Sequence, residues 1–183
     1  RLVGMDHFNA MFEDSRTGSW WRQVSGECIA GPLKGEVLPE VRSEQLTMRG
    51  FVQKYPAGLI LQPDSNYTEQ YADLKGFDDG TIDSELEYRD TASWQPKSWV
   101  VGVVHNGQAR AYDWNDVQRI AVIHDTLGGD SIDVMKYGLS GFMVMRHSDV
   151  PLSTQPRLLK AYQEFWHSWR TFHPNTTKYE PQQ

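Results

Sequence analysis

Histidine is the side chain best suited to acid–base or metal chemistry, and this 183-residue chain has six: His7, His105, His124, His147, His167 and His173. No two stand at the i, i+4 spacing that puts paired imidazoles on one helix face, as in a His-Glu-x-x-His metal site. Asp6-His7 and His124-Asp125 are adjacent pairs in or beside turns, where an aspartate ordinarily bonds turn backbone. General acid–base catalysis needs an imidazole oriented by a carboxylate at a pocket. His124, Asp125 and Glu27 are the candidates for that role. One thiol and scattered histidines offer no set of three or four ligands, so neither a metal nor a cofactor is expected.

Other chemistries find less support. The chain has no Gly-x-Ser-x-Gly elbow, P-loop or dinucleotide fingerprint. Ser19 follows Gly18 but precedes Trp20, where a tight elbow wants a small residue. Cys28 stands next to Glu27, which works against a thiolate, and reads as a buried, inert thiol. The acids between Asp64 and Asp90 only faintly approach a calcium loop at Asp78-Asp79-Gly80-Thr81-Ile82-Asp83 and read as a solvated stretch. A binding surface has more support. Trp20 and Trp21 are consecutive, so in a strand they point to opposite faces, and one of them needs a cover or a ligand. The chain reverses at Ser25-Gly26 and brings them toward the loop Gly31-Pro32-Leu33-Lys34-Gly35. A concave site bordered by Trp20 or Trp21, Glu27, Gly31, Pro32 and Gly35 is therefore expected, with bare glycine backbone beside an aromatic wall.

The elements that must position these residues are mostly short strands. Hydrophobic residues make up 39% of the chain and aromatic ones 12%, which excludes disorder. A net charge of −6 leaves no basic stripe for nucleic acid. The longest apolar run, Trp99 to Val104, is strand-sized, so no membrane insertion is expected. RLVGM and AMFED flank the turn Asp6-His7-Phe8-Asn9. SWWRQ, ECIA and EVLPE follow as a tight meander punctuated by Gly and Pro. Met48, Phe51, Val52 and Tyr55 have amphipathic helical spacing, with Ser43 or Thr47 as cap and Pro56 as stop. Gly58 to Gln62 reads as a buried strand, and residues 63–96 as a polar excursion with a helical turn near Thr68 to Leu74.

Asn106-Gly107 between β-rich segments marks a type I′ hairpin. A helical turn from Trp114 to Arg119 follows, then a second hairpin around Gly128-Gly129 and a strand from Leu139 to Met145. Leu158 to His173 reads as a helix that presents Tyr162, Phe165, Trp166 and Trp169 on one face, with Trp166 and Trp169 as core anchors. Gln45 to Pro56 aligns without gaps with Gln163 to Pro174, an internal repeat. The fold class is mainly β (α+β): antiparallel meanders in two related modules, each with a short amphipathic helix. The modules are 1–62 and 97–183, joined by 63–96 into one compact unit.

The segments DSRTGSWWRQVSGECIAGPLKGEVLP, the helix ending Tyr55-Pro56, VVGVVHNGQARAYDW with IHDTLGG, and QEFWHSWRTFHP occur in one order. This order resembles an uncharacterised prokaryotic family, domain-of-unknown-function family 3179, over almost the whole chain. The resemblance implies secreted, lipid-anchored or membrane-anchored extracytoplasmic proteins with no established activity. It also implies an earlier hairpin and a Cys-x-x-Cys-type segment ahead of the part that begins at Arg1, so the first module is expected to be N-terminally incomplete. Three features depart from the family pattern. That upstream part is missing, the stretch from His147 to Leu158 is short, and Cys28 and His124 stand where Ala and Asn are more usual. The expected function is that of an extracytoplasmic, periplasmic or membrane-anchored domain that binds a small molecule or a protein partner without catalysis. The alternatives are a hydrolase using a turn histidine and carboxylates, or a truncated metal or redox protein whose cysteines lie upstream.

Overall fold

A computed structural model describes residues 1–39, 45–71, 74–82, 88–138, 141–147 and 158–181. Among the described residues the fold is mainly β, with three sheets and four short helices. The first sheet is an antiparallel meander of β1 (Leu2–Asp6), β2 (Asn9–Glu13), β3 (Trp20–Arg22) and β4 (Cys28–Ala30). Its first turn places His7 and Phe8 at φ 49° and 68°, a conformation that L side chains adopt at a cost. Contacts at the turn offset that cost. Phe8 meets Phe165 and His167 edge-on, and the Asn9 amide donates to Ser168 Oγ at 2.7 Å. The meander is thus docked by its tip onto the C-terminal part of the chain.

Between the first and second sheets lie α1 (Met48–Lys54), a 3-10 turn at Ser65–Gln70 and α2 (Leu74–Asp79). Thr47 caps α1 by accepting from the Gly50 amide; Ser43 lies outside the described residues. β5 (Trp99–His105) and β6 (Gln108–Asp113) form the hairpin around Asn106-Gly107, both at positive φ. Asp113 caps α3 (Trp114–Ile120) by accepting from the Asn115 and Asp116 amides. β7 (Val122–Leu127) and β8 (Asp130–Tyr137) pair across Gly128-Gly129, and β9 (Gly141–Arg146) completes the third sheet. β10 (Ala161–Phe165) pairs with β5, α4 (Trp166–Phe172) follows, and β11 (Thr177–Lys178) lies parallel to β6. The second sheet therefore reads β10-β5-β6-β11 and is mixed rather than purely antiparallel.

The main core lies between the second and third sheets. Val101, Val103, Tyr112, Ile123, Leu127, Ile132, Val134 and Val144 fill it, and Val117 of α3 closes one end. Strand alternation sends Val100 and Gly102 to the opposite face of β5, where Trp166 and Trp169 of α4 pack with Ala111. The two tryptophans are the core anchors their spacing indicated. Among residues 1–39, by contrast, only Ser19 and Cys28 are fully enclosed, so the first sheet has little core of its own.

Several expectations need correction. Gly58 to Gln62 is not a strand and is not buried: Leu59 and Leu61 are 96% and 97% exposed. A short apolar run carries no information about whether a partner strand exists. The helix expected from Leu158 is shorter and starts at Trp166. Ala161 to Phe165 instead pairs with the free edge of β5, where the backbone groups that face β5 gain ladder partners. Tyr162 still meets Trp169 edge-on at 5.3 Å, but from a strand. The helical turn expected near Thr68 to Leu74 falls on a 3-10 turn that ends at Gln70, with α2 starting afresh at Leu74. Leu139 and Ser140 lie outside the described residues, and β9 begins at Gly141.

The two helices of the gapless alignment have matching bounds, Met48–Lys54 and Trp166–Phe172. Their C-caps also match: Tyr55 at φ −127°, ψ 71° donates to Phe51 O, and His173 at φ −128°, ψ 70° donates to Trp169 O. Aligned Gln45 and Gln163 hydrogen-bond each other, Gln45 Nε2 donating to Gln163 Oε1 and Gln163 N to Gln45 Oε1. Their surroundings differ. Trp169 is fully buried on β5, whereas Phe51 is half-buried against Tyr55, and Gly50 of α1 lies by Tyr137 at the end of β8.

Candidate functional site

An open groove of about 650 Å³ runs along the first sheet, walled by Phe12, Trp21, Leu33 and Leu38 with Asp14 and Arg16 at its rim. Phe12 and Trp21 are register partners on β2 and β3, so their rings share one face. Of the residues named for a site from sequence, Trp21 lines this groove, and the Gly31 to Gly35 loop contributes Leu33. Trp20, Glu27, Gly31, Pro32 and Gly35 do not line it. Trp20 is partly exposed opposite Ala30. Gly31 is not bare backbone: a Cβ there would stand 2.8 Å from Ser19 Cα. Gly35 has open space around it.

The charges along the groove are nearly all satisfied. Asp14 accepts from Thr17 Oγ1 and N, from the Trp21 indole at 3.1 Å and from Arg16 N. The Thr17 hydroxyl, followed by the other donors, holds its carboxyl well below the usual range. Glu13 pairs with Arg1 at 2.7 Å. Arg22 donates to Asp6 at 2.8 Å and to Glu27 at 3.0 Å, which is where the Glu27 carboxylate is spent. The Arg16 guanidinium has no partner among the described residues. Cys28 is buried, its Sγ 3.3 Å from Ala30 O.

The adjacent pair His124-Asp125 is split by strand alternation. Asp125 shares the inward face of β7 with Ile123 and Leu127. There it accepts from Arg110 Nη1 at 2.6 Å and from the Tyr112 hydroxyl at 2.6 Å. Burial, then the bond to Asp125, pushes the Tyr112 phenol far up. His124 faces outward with its side chain 71% exposed. Glu27 belongs to the first sheet. The three residues named as acid–base candidates do not converge.

His124 has a different carboxylate. Its Nδ1 lies 2.6 Å from Asp133 Oδ1, and His147 Nδ1 lies 3.0 Å from Asp133 Oδ2. One ligand atom from each of the three residues falls within 4.8 Å of the others. Burial by itself would raise the Asp133 carboxyl, but hydrogen bonds from His147 and His124 outweigh it and hold the carboxyl below the usual range. The expectation that the histidines stay scattered is overturned here, because three adjacent strands bring two of them to one aspartate. Half of this was legible. A two-residue turn at Gly128-Gly129 pairs His124 with Asp133 by counting outward from the turn. His147 joins only through the β8–β9 register, where Ser131 O accepts from its amide.

Two further polar clusters lie outside these sites. Asp130 is held by His105 Nε2 at 2.7 Å and by Arg146, and its carboxyl is lowered by the His105 bond first. Glu164 is half-buried beside Ser168 and Asn9, and desolvation raises its carboxyl. Among the described residues no helix is long and apolar enough to cross a membrane.

These features define a β-rich domain with an amphiphilic groove on one sheet and an imidazole–carboxylate cluster on another. Residues 6–176 match the family described as a protein of unknown function, DUF3179, and the chain belongs to that family. No curated protein and no solved structure matches it.

Proposed function

We propose that this protein is an extracytoplasmic, non-catalytic binding domain whose ligand is a small amphiphilic anion held in the groove of the first sheet. The observation that carries the reading is Arg16, whose guanidinium has no partner among the described residues, at the rim of an apolar wall made by Phe12, Trp21, Leu33 and Leu38. Every other charge in the lining is already paired or saturated, so the groove complements a flat apolar body with one negative group. The scarcity of buried side chains beneath this sheet supports a role as a surface rather than as core. The extracytoplasmic location rests on the family resemblance. The same reading takes α1 and α4 as copies of one duplicated element, supported by their matched bounds and caps.

The probe is 8-anilinonaphthalene-1-sulfonate, which has both chemical parts. Titrated into the native protein, it should bind one site with enhanced fluorescence. Arg16→Gln should weaken binding about tenfold, the worth of one charge-assisted hydrogen bond. Leu33→Asp should abolish it. Saturable binding that neither substitution alters, or no saturable binding, would remove the reading. Location is checked by fractionating cells that express the full-length gene.

A further inference from the structure

Three adjacent strands present His124, Asp133 and Met145 in one cross-strand row, with His147 one row further on. The registers pair His124 with Asp133 and Asp133 with Met145, and paired residues share a face. The inward neighbours Ile123, Ile132, Val134 and Val144 are all in the core, so this row stands on the outer face of a sheet clamped from beneath. The row's spacing is therefore set by the ladder and not by flexible loops.

We propose that His124, Asp133 and His147 form a binding site for a divalent first-row transition ion, with copper(II) held more tightly than zinc(II). Imidazole and carboxylate donors suit this class of ion, and three protein ligands leave positions open for water or an exchangeable ligand. Metal bonds of about 2.1 Å require donor atoms roughly 3–4 Å apart, and the three ligand atoms here already lie within 4.8 Å of one another. The two imidazoles meet different oxygens of one carboxylate, their ring centroids 6.0 Å apart at 89°. Asp133 is the enclosed member, with a side chain 12% exposed, while both histidines are open to solvent. An ion thus has a short way in and an anchoring carboxylate at the base. At nitrogen and oxygen donors of this kind the Irving–Williams order places copper(II) above zinc(II), which sets the expected preference.

The test uses the tag-free protein with copper(II) chloride or zinc(II) chloride alone, followed by isothermal titration calorimetry. One equivalent of each ion should bind, copper more tightly, and each should raise the melting temperature. His147→Gln and Asp133→Asn should each weaken binding by about 100-fold or more and remove the rise in melting temperature. Electron paramagnetic resonance of the copper-loaded wild type reads the ligand set without relying on any variant. Hyperfine structure from two imidazole nitrogens is the expected signature. Absence of saturable binding, binding that survives both substitutions, or a spectrum without imidazole nitrogen would overturn the proposal. This site is on the third sheet, so its outcome is independent of the groove on the first.

Discussion

Trp169 occupies the space that a side chain at Gly102 would need: a Cβ on Gly102 would stand 2.2 Å from the Trp169 Cζ3 atom. This fully buried tryptophan is seated against the bare backbone of β5, and its indole N–H reaches Thr176 Oγ1 at 2.7 Å. One glycine thus decides how closely α4 approaches the second sheet. Gly102→Ala should destabilise the fold by about 1–3 kcal/mol through overpacking, read as a lower urea midpoint with an unchanged slope. An unaltered midpoint would mean that α4 can shift outward at no cost.

The two faces of β7 should respond differently to substitution. Asp125 is enclosed with Arg110 and Tyr112, so Arg110→Met strips a partner from a half-buried carboxylate and should cost about 1–3 kcal/mol. Tyr112→Phe should cost about 1 kcal/mol, because Arg110 still serves the carboxylate. His124→Gln, on the exposed face, should fall within about 0.5 kcal/mol of wild type without metal. Chemical denaturation of the three variants side by side checks the ordering.

Docking of the first sheet should depend on its turn. Asn9→Ala removes the bond to Ser168 Oγ and leaves Glu164 with one donor fewer, at about 1 kcal/mol. Phe8→Gly relieves the positive φ but deletes the edge-on contacts with Phe165 and His167. Hydrogen exchange should show β1 and β2 losing protection in both variants, while β7 and β8 keep theirs. Equal loss in all four strands would show that the sheets unfold as one unit.

Acid stability should reflect groups of opposite sign. Burial, and then the charge of Lys160, lowers the pKa of His173, while burial, and then the charges of His7, Lys97 and Arg170, lowers that of His167. The unfolded chain takes up these protons near pH 6.5 and the folded chain resists until lower pH, so stability falls as pH drops below about 6.5. Glu164 is raised above 4.5 by burial, so its contribution is present below pH 4.5 and is lost as pH rises through its folded value. His173→Phe should flatten the fall in stability below pH 6.5. Glu164→Gln should remove the loss above pH 4.5 and increase stability at pH 7. Melting temperatures between pH 4 and 8 separate the two. A His173→Phe profile that runs parallel to wild type would show that this imidazole protonates freely in the folded state.

The mainly β fold was legible because turn chemistry is local. Asn106-Gly107 and Gly128-Gly129 need only their own positive φ angles, and Thr47 and Pro56 bound α1 by groups within a few residues. The order of motifs likewise sufficed for family membership. That β7 runs through both His124 and Asp125, and so turns them to opposite faces, was not legible while the pair was read as lying in or beside a turn. Which of them would face the core was a tertiary outcome, settled by where Arg110 and Tyr112 of β6 lie. Partnership across distant segments decided the rest. Ala161 to Phe165 became a strand because the edge of β5 was open to it, while Leu59 and Leu61 found no sheet. His147 reached Asp133 only once β9 had taken its register on β8, because register decides which residues of two strands stand beside each other.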